Sequence, residues 1–264
     1  MLILNNIYKT FNKGTVNEKK ALNGVNLVLN DGEFVTVIGG NGAGKSTLMN
    51  IVAGTYTPDK GEVIIDGKDI TEMSEHRRAQ YLGRVFQDPV MGTAAGMQID
   101  ENLALAARRG KRRFLKPGIT KKEREEYKEL LKNLDLGLEN RMSTKVELLS
   151  GGQRQSITLM MATLRKPKLL LLDEHTAALD PKTAKKVLEL TNMIVTENRL
   201  TTLMITHNMH DAIQYGDRLI MLSDGQIVVD IKGEEKKNLT VPDLLKLFGQ
   251  KTGAEMTSDK LLLS

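Results

Sequence analysis

The chain has 264 residues, 40% of them apolar, and a formal net charge of +5, enough to bury a sizeable core near the size at which one core divides into subdomains. It holds no cysteine, which excludes disulfide scaffolds, thiolate metal sites and cysteine nucleophiles and suits a reducing compartment. It also has no tryptophan and only five tyrosines and five phenylalanines, too few stacking aromatics to make nucleic acid the natural partner of the positive charge.

At the start, Met1 to Asn6 lacks the basic flank and long apolar stretch of a secretion signal, and no later apolar run approaches the roughly 18 residues needed to span a bilayer. The expectation is a soluble protein that stays where it is made. Asp31-Gly32 is the first of three two-residue hairpin signals, the others being Asp66-Gly67 and Asp224-Gly225; together they predict an antiparallel β layer. Phe34–Ile38 lacks polar alternation and reads as a buried parallel strand, as do residues 169–172 and 201–205. From Pro89 to about Ser150 strand signals vanish. Helix formers take over, with Tyr127, Leu130, Leu131 and Leu134 making an apolar stripe at helical spacing over residues 121–134. Inside that stretch the run RRGKRRFLK, residues 108–116, concentrates positive charge, as a solvated loop or a contact for lipid headgroups. Residues 242–248 near the end pattern as an amphipathic helix.

Gly39, Gly40, Asn41, Gly42, Ala43, Gly44, Lys45, Ser46 and Thr47 follow the strand Phe34–Ile38 directly and open a helix that stops at Gly54, so GxxxxGK[ST] stands in its required context. Backbone N–H groups of such a loop curl around phosphates, Lys45 reaches the β and γ phosphates of a nucleotide, and the Ser46 hydroxyl is a Mg²⁺ ligand. The leucine run at 169–172 delivers two carboxylates: Asp173 to hold Mg²⁺ through water, and Glu174 to polarise the attacking water as general base. Asp180, followed by Pro181, reads as the N-cap of a helix to Asn198.

Leu149-Ser150-Gly151-Gly152-Gln153-Arg154-Gln155 puts a serine and two glycines at a helix start, a second anion-binding end in the same chain. With the LSGGQ sequence and both Walker motifs in order, residues 1 to about 230 resemble the ABC ATPases. That resemblance implies an α/β fold: a P-loop NTPase (RecA-like) core with an antiparallel β subdomain and an inserted helical subdomain. It divides the chain into a nucleotide-binding core (1–88 and 151–230), a helical subdomain (89–150) and a short tail (231–264). It further implies a head-to-tail dimer in which Ser150, Gly151, Gly152 and Gln153 cap the ATP held by the second copy. Gln87, alone an ordinary strand terminus, matches the glutamine that contacts Mg²⁺ or water. His207, alone more often structural, matches the switch histidine that bonds the γ-phosphate, and Asp180 matches an aspartate at the dimer seam. Phe11 matches the aromatic that stacks on adenine, with Tyr8 close by and core packing as the other reading.

Two departures are visible: His175 stands where proline usually follows the glutamate, and Ala178 where serine is frequent. The segment Glu174 to Pro181 resembles importer ATPases of amino-acid uptake, including tryptophan-type systems. The expected partners are therefore separate transmembrane permease subunits and an extracytoplasmic binding protein, with attachment to the inner face of the cell membrane and no nucleic acid. A soluble ABC ATPase acting on ribosomes or DNA is the competing reading, disfavoured by a single cassette and a modest insertion. A GTPase or kinase fails because no NKxD motif follows the P-loop.

Overall fold

The computed structural model describes residues 1–111 and 118–252. Strands β1 (Leu2–Phe11) and β2 (Lys19–Leu29) pair antiparallel, with register shifts between Leu4 and Ile7 and between Lys9 and Thr10. β3 (Phe34–Ile38) is buried at every position, as a strand covered on both faces must be. Helix α1 (Lys45–Ala53) closes at Gly54, whose left-handed backbone returns its N–H to the carbonyls of Asn50 and Ile51. β4 (Lys60–Ile65) and β5 (Lys68–Asp69) meet across Asp66-Gly67, both at positive φ as a type I′ turn requires. A single helical turn, α2 (Glu75–Arg78), leads to β6 (Leu82–Val85).

Next come α3 (Ile99–Ala107) and α4 (Lys121–Lys132), the latter opened by a capping box in which Thr120 and Glu123 satisfy each other's backbone N–H. Tyr127 and Leu131 of α4 join Ile99, Leu103, Leu138 and Val146 in a core of their own, completed by Ile157 from α5 (Gly151–Thr163). The chain continues through β7 (Leu169–Asp173), α6 (Pro181–Asn198), β8 (Thr202–Ile205), α7 (Met209–Gln214), β9 (Arg218–Ser223), β10 (Gln226–Lys232), α8 (Glu234–Lys237) and α9 (Val241–Thr252).

Two sheets result, one in the order β2-β1-β4-β5 and one in the order β10-β9-β3-β8-β7-β6. The larger is parallel from β9 to β6, with β10 added antiparallel. This is the expected α/β architecture, a P-loop core joined by an antiparallel layer and a helical group between β6 and β7. Two turns differ from expectation. Asp31-Gly32 makes no hairpin, because β2 and β3 lie in different sheets, and Asp224-Gly225 turns a hairpin at the edge of the parallel sheet rather than in the antiparallel layer. Of the basic run at 108–116, residues 112–116 lie outside the described residues, as do 253–264 of the tail.

The helix that carries the P-loop is closed from behind. Arg78, 1% exposed, donates to the carbonyls of Ile51 (2.6 Å) and Val52 (2.9 Å) at the end of α1, and to Met73 and Thr71 (2.7 Å each). Arg78→Met removes a donor from all four carbonyls, the buried Val52 carbonyl among them, and should cost about 3 kcal/mol of stability. Urea unfolding measures it; a loss below about 1 kcal/mol would contradict the role.

Candidate active site

Backbone conformation makes the cradle. Gly44, the N-cap of α1, sits at φ 106°, and a Cβ there would lie 2.4 Å from the Ala21 carbonyl, so only glycine lets the loop pass this close to β2. No side chain caps α1, so its first N–H groups remain available to an anion. Lys45 is 7% exposed and folds back to donate to the carbonyls of Gly39 (2.7 Å) and Gly40 (3.3 Å). Burial lowers its pKa, opposed by the nearby carboxylates of Glu174 and Asp173.

A cleft of roughly 350 Å³ opens over this loop, lined by Phe11, Lys19, Ala21, Glu174 and the six residues from Asn41 to Ser46 with Thr47. Phe11 stands half-buried at its edge, against the ring of Tyr56 at 5.3 Å and 74°. Asp173 ends β7, and Glu174 turns into the left-handed region at φ 44°. That turn breaks the strand alternation which would send consecutive side chains to opposite faces, and hydrogen bonds from Glu174 N to the Ile205 carbonyl and from Ala177 N to the Glu174 carbonyl hold it.

Charges around the carboxylates differ. His207 Nδ1 lies 3.6 Å from Glu174 Oε2; this contact holds the Glu174 carboxyl below the usual range and raises the imidazole. Burial raises Asp173, while Arg84, with Nη2 at 3.6 Å, opposes the rise. Arg84 also donates to Asn50 of α1 (2.7 Å), so one guanidinium joins the P-loop helix to the carboxylate strand. Neither Arg84 nor Lys19 was apparent from the motifs; their only signal was a basic residue flanking a strand or loop.

Among the described residues no three His, Cys, Asp or Glu side chains form a metal cage. Ser46 at the head of α1 and Asp173 at the end of β7 offer two oxygen donors beside the phosphate cradle. That donor set fits a Mg²⁺ ion that keeps waters and shares phosphate oxygens.

Other predicted residues stand apart. Gln87 is exposed just beyond β6. Ser150, whose side chain accepts from Gln153 N (3.3 Å), caps α5 and, with Gly152 and Gln153, borders a different recess shared with Thr183. Gly151 opens α5, and Asp180 caps α6, accepting from Thr183 N at 3.1 Å. Neither the α5 end nor Asp180 lines the cleft over Lys45.

A glycine-rich loop between strand and helix, with a carboxylate pair on a nearby parallel strand, defines a P-loop nucleotide-hydrolysing cassette. The chain belongs to the ABC transporter family, whose model matches residues 22–177. A tyrosine transport ATP-binding protein of Clostridioides difficile is 47% identical over 248 residues, 94% of this chain and 98% of that protein. A xylose/arabinose import ATP-binding protein of Sulfolobus acidocaldarius is 35% identical over 249 residues, 94% of each. Among solved structures, an ATP-binding cassette in a dimeric post-hydrolysis state bound to ADP and Pi matches with a TM-score of 0.74 at 32% identity, over 88% of this chain and 98% of that one. The chain is an ATP-binding, ATP-hydrolysing member of this family.

His175, the departure beside Glu174, is 2% exposed with Nε2 3.1 Å from Thr191 Oγ1. The Thr191 hydroxyl donates to the Val187 carbonyl (2.7 Å), so it accepts from His175 and fixes the proton on Nε2. Burial pulls this imidazole down to about 4. The unfolded chain therefore takes up a proton near pH 6.5 that the folded chain refuses until about pH 4, and stability falls as pH drops through that window. Between pH 7 and 5 the native chain should lose about 2 kcal/mol more than His175→Gln. Urea midpoints at the two pH values test it; equal losses would refute it.

Proposed function

We propose that this chain powers a membrane transporter that imports a small solute of the amino-acid kind, working as one of two identical copies that close on ATP. The observation that carries the dimer is the separation of the two glycine-bearing helix starts, those of α1 and α5. One lies in the cleft with Glu174, while the other opens elsewhere on the same chain. A head-to-tail pair would place the second end of one copy over the cradle of the other, in a closed twofold arrangement. Similarity to a tyrosine transport ATP-binding protein supports import of an amino acid.

In this reading Phe11 stacks on adenine, and Gly39, Gly40, Asn41, Gly42, Ala43, Gly44 and Thr47 enclose the phosphates. Lys45 gives up its bonds to the loop carbonyls and turns to the β and γ phosphates. Mg²⁺, held by Ser46, by Asp173 through water and by Gln87, would neutralise phosphate charge. Glu174 accepts a proton from the water that attacks the γ-phosphorus as the bond to the leaving ADP oxygen breaks. His207 keeps that carboxylate ionised and reaches the γ-phosphate. Ser150, Gly151, Gly152 and Gln153 act on the partner's nucleotide, with Asp180 at the seam.

Residues 1–88 and 151–230 act as the nucleotide-binding core, 89–150 as the helical subdomain that passes motion to separate permease subunits, and 231–264 as a tail. An extracytoplasmic binding protein selects the solute, and the chain sits on the inner face of the membrane with no nucleic acid partner. Among the described residues no helix is long and apolar enough to cross a membrane.

Glu174→Gln should keep ATP binding, lower turnover at least about 100-fold and prolong the ATP-bound dimer, as followed by phosphate release and size-exclusion chromatography. Undiminished hydrolysis would remove Glu174 from the role of base. Ser150→Arg should abolish hydrolysis while monomer nucleotide affinity stays within about 3-fold; joint loss of both would argue against action across the dimer. Purification from gently solubilised membranes should recover a polytopic membrane protein and a binding protein, whereas ribosomes alone would overturn transport.

A further inference from the structure

Helix α7 starts two residues after His207, capped by the intervening Asn208, whose side chain accepts from His210 N (2.9 Å) and Asp211 N (3.2 Å). With only six residues it holds little helical stability of its own, so its place depends on what grips it. Thr36 of β3 donates to the Ala212 carbonyl at 2.9 Å. The carbonyls beyond, Ile213 (3.0 Å), Tyr215 (2.6 Å) and Gly216 (2.8 Å), all accept from one ammonium, that of Lys236.

Lys236 belongs to α8 and is 3% exposed. All three of its N–H donors are used at the negative end of α7, where a cation is favoured. Burial draws its pKa down to about 8, opposed by Asp217, which leaves it charged at neutral pH. The same end of the chain grips α7 a second way. Leu244 and Phe248 of α9 share a core cluster with Met209 and Ala212 of α7, and with Ile38 at the foot of the P-loop. The histidine thus stands between the end of β8 and the capped start of a short helix whose other end is locked by a side chain from the C-terminal segment.

We propose that Lys236 is a positioning residue for hydrolysis: by binding the end of α7 it fixes where His207 stands against Glu174, and so couples the α8–α9 segment to turnover. This rests on the role given to His207 above. It predicts a loss in kcat without loss of nucleotide affinity, because no atom of Lys236 lines the cleft.

The test is a double-mutant cycle on the full chain, with ATP and a fluorescent ATP analogue as probes. Lys236→Met should lower kcat at least about 10-fold and leave KM and analogue affinity within about 2-fold, and it should cause little further loss in a His207→Ala background. The absence of cysteine in the native chain gives a rescue: Lys236→Cys, aminoethylated while unfolded and refolded, regains an ammonium at nearly the lysine length and should recover turnover. The native chain, refolded alike, is the reference if Lys236→Met does not fold. Equal fold losses in the two backgrounds, no rescue, or joint loss of affinity and kcat would overturn the proposal. If His207→Ala itself leaves turnover intact, the reading of His207 fails first; if it abolishes turnover while Lys236→Met is silent, only the positioning role fails.

Discussion

Parallel strands end on the same edge of a sheet, and nearly everything in this site depends on that constraint. β3, β8, β7 and β6 are consecutive neighbours, and each hands its chain to a chemical group at or just past its last residue: the P-loop, His207, the Asp173–Glu174 pair and Gln87. Register sets the depth. Val37 pairs with Ile205, Ile205 with Asp173, and Leu172 with Val85, so the groups leave the sheet in one row. A slip of one residue in any strand would turn its buried side chains to the opposite face and withdraw its group, and the strands Phe34–Ile38 and Thr202–Ile205 are buried at every position.

Two adjacent carboxylates and a phosphate-bearing ligand are mutually repulsive, and the protein distributes cations to suit. Lys45 approaches both carboxylates from the loop, Arg84 holds Asp173 from β6, and His207 holds Glu174 from the end of β8. Their consequences are opposite. Asp173 is drawn up by burial despite its guanidinium, whereas Glu174 is drawn down by its histidine, so the proton affinities of two residues adjacent in sequence are shifted in opposite directions. An ionised Glu174 is the state a general base needs at neutral pH.

The parts of this arrangement legible in the sequence were those with a short-range physical signature. A glycine loop followed by lysine and serine, a leucine run ending in two acids, and a serine-glycine helix start each announce themselves within ten residues. The antiparallel layer was only half visible: β1 carries register shifts at Leu4, Ile7 and Thr10 that interrupt the two-residue alternation a strand is recognised by. Asp31-Gly32 misled for a different reason, since a tight turn fixes local geometry but cannot say that the strands on either side join different sheets. Arg84, Arg78 and Lys236 were illegible because their partners include backbone carbonyls and side-chain oxygens 20 or more residues away in sequence. A buried cation leaves no periodic trace.

The start of α5 is held by two contacts that link it to the rest of the fold. A Cβ on Gly152 would come 2.2 Å from the Thr183 methyl, so α5 starts in direct contact with the start of α6, whose cap is Asp180. One turn further on, Gln155, fully buried, donates its amide to the Phe86 carbonyl at 3.3 Å, and Phe86 immediately precedes Gln87. The helix that begins at Ser150 is therefore tied to Asp180 on one side and to the Gln87 segment on the other. A force that tilts α5 through the helical group must be felt at both, which makes a shift at Ser150 and a shift at Gln87 two readings of one displacement.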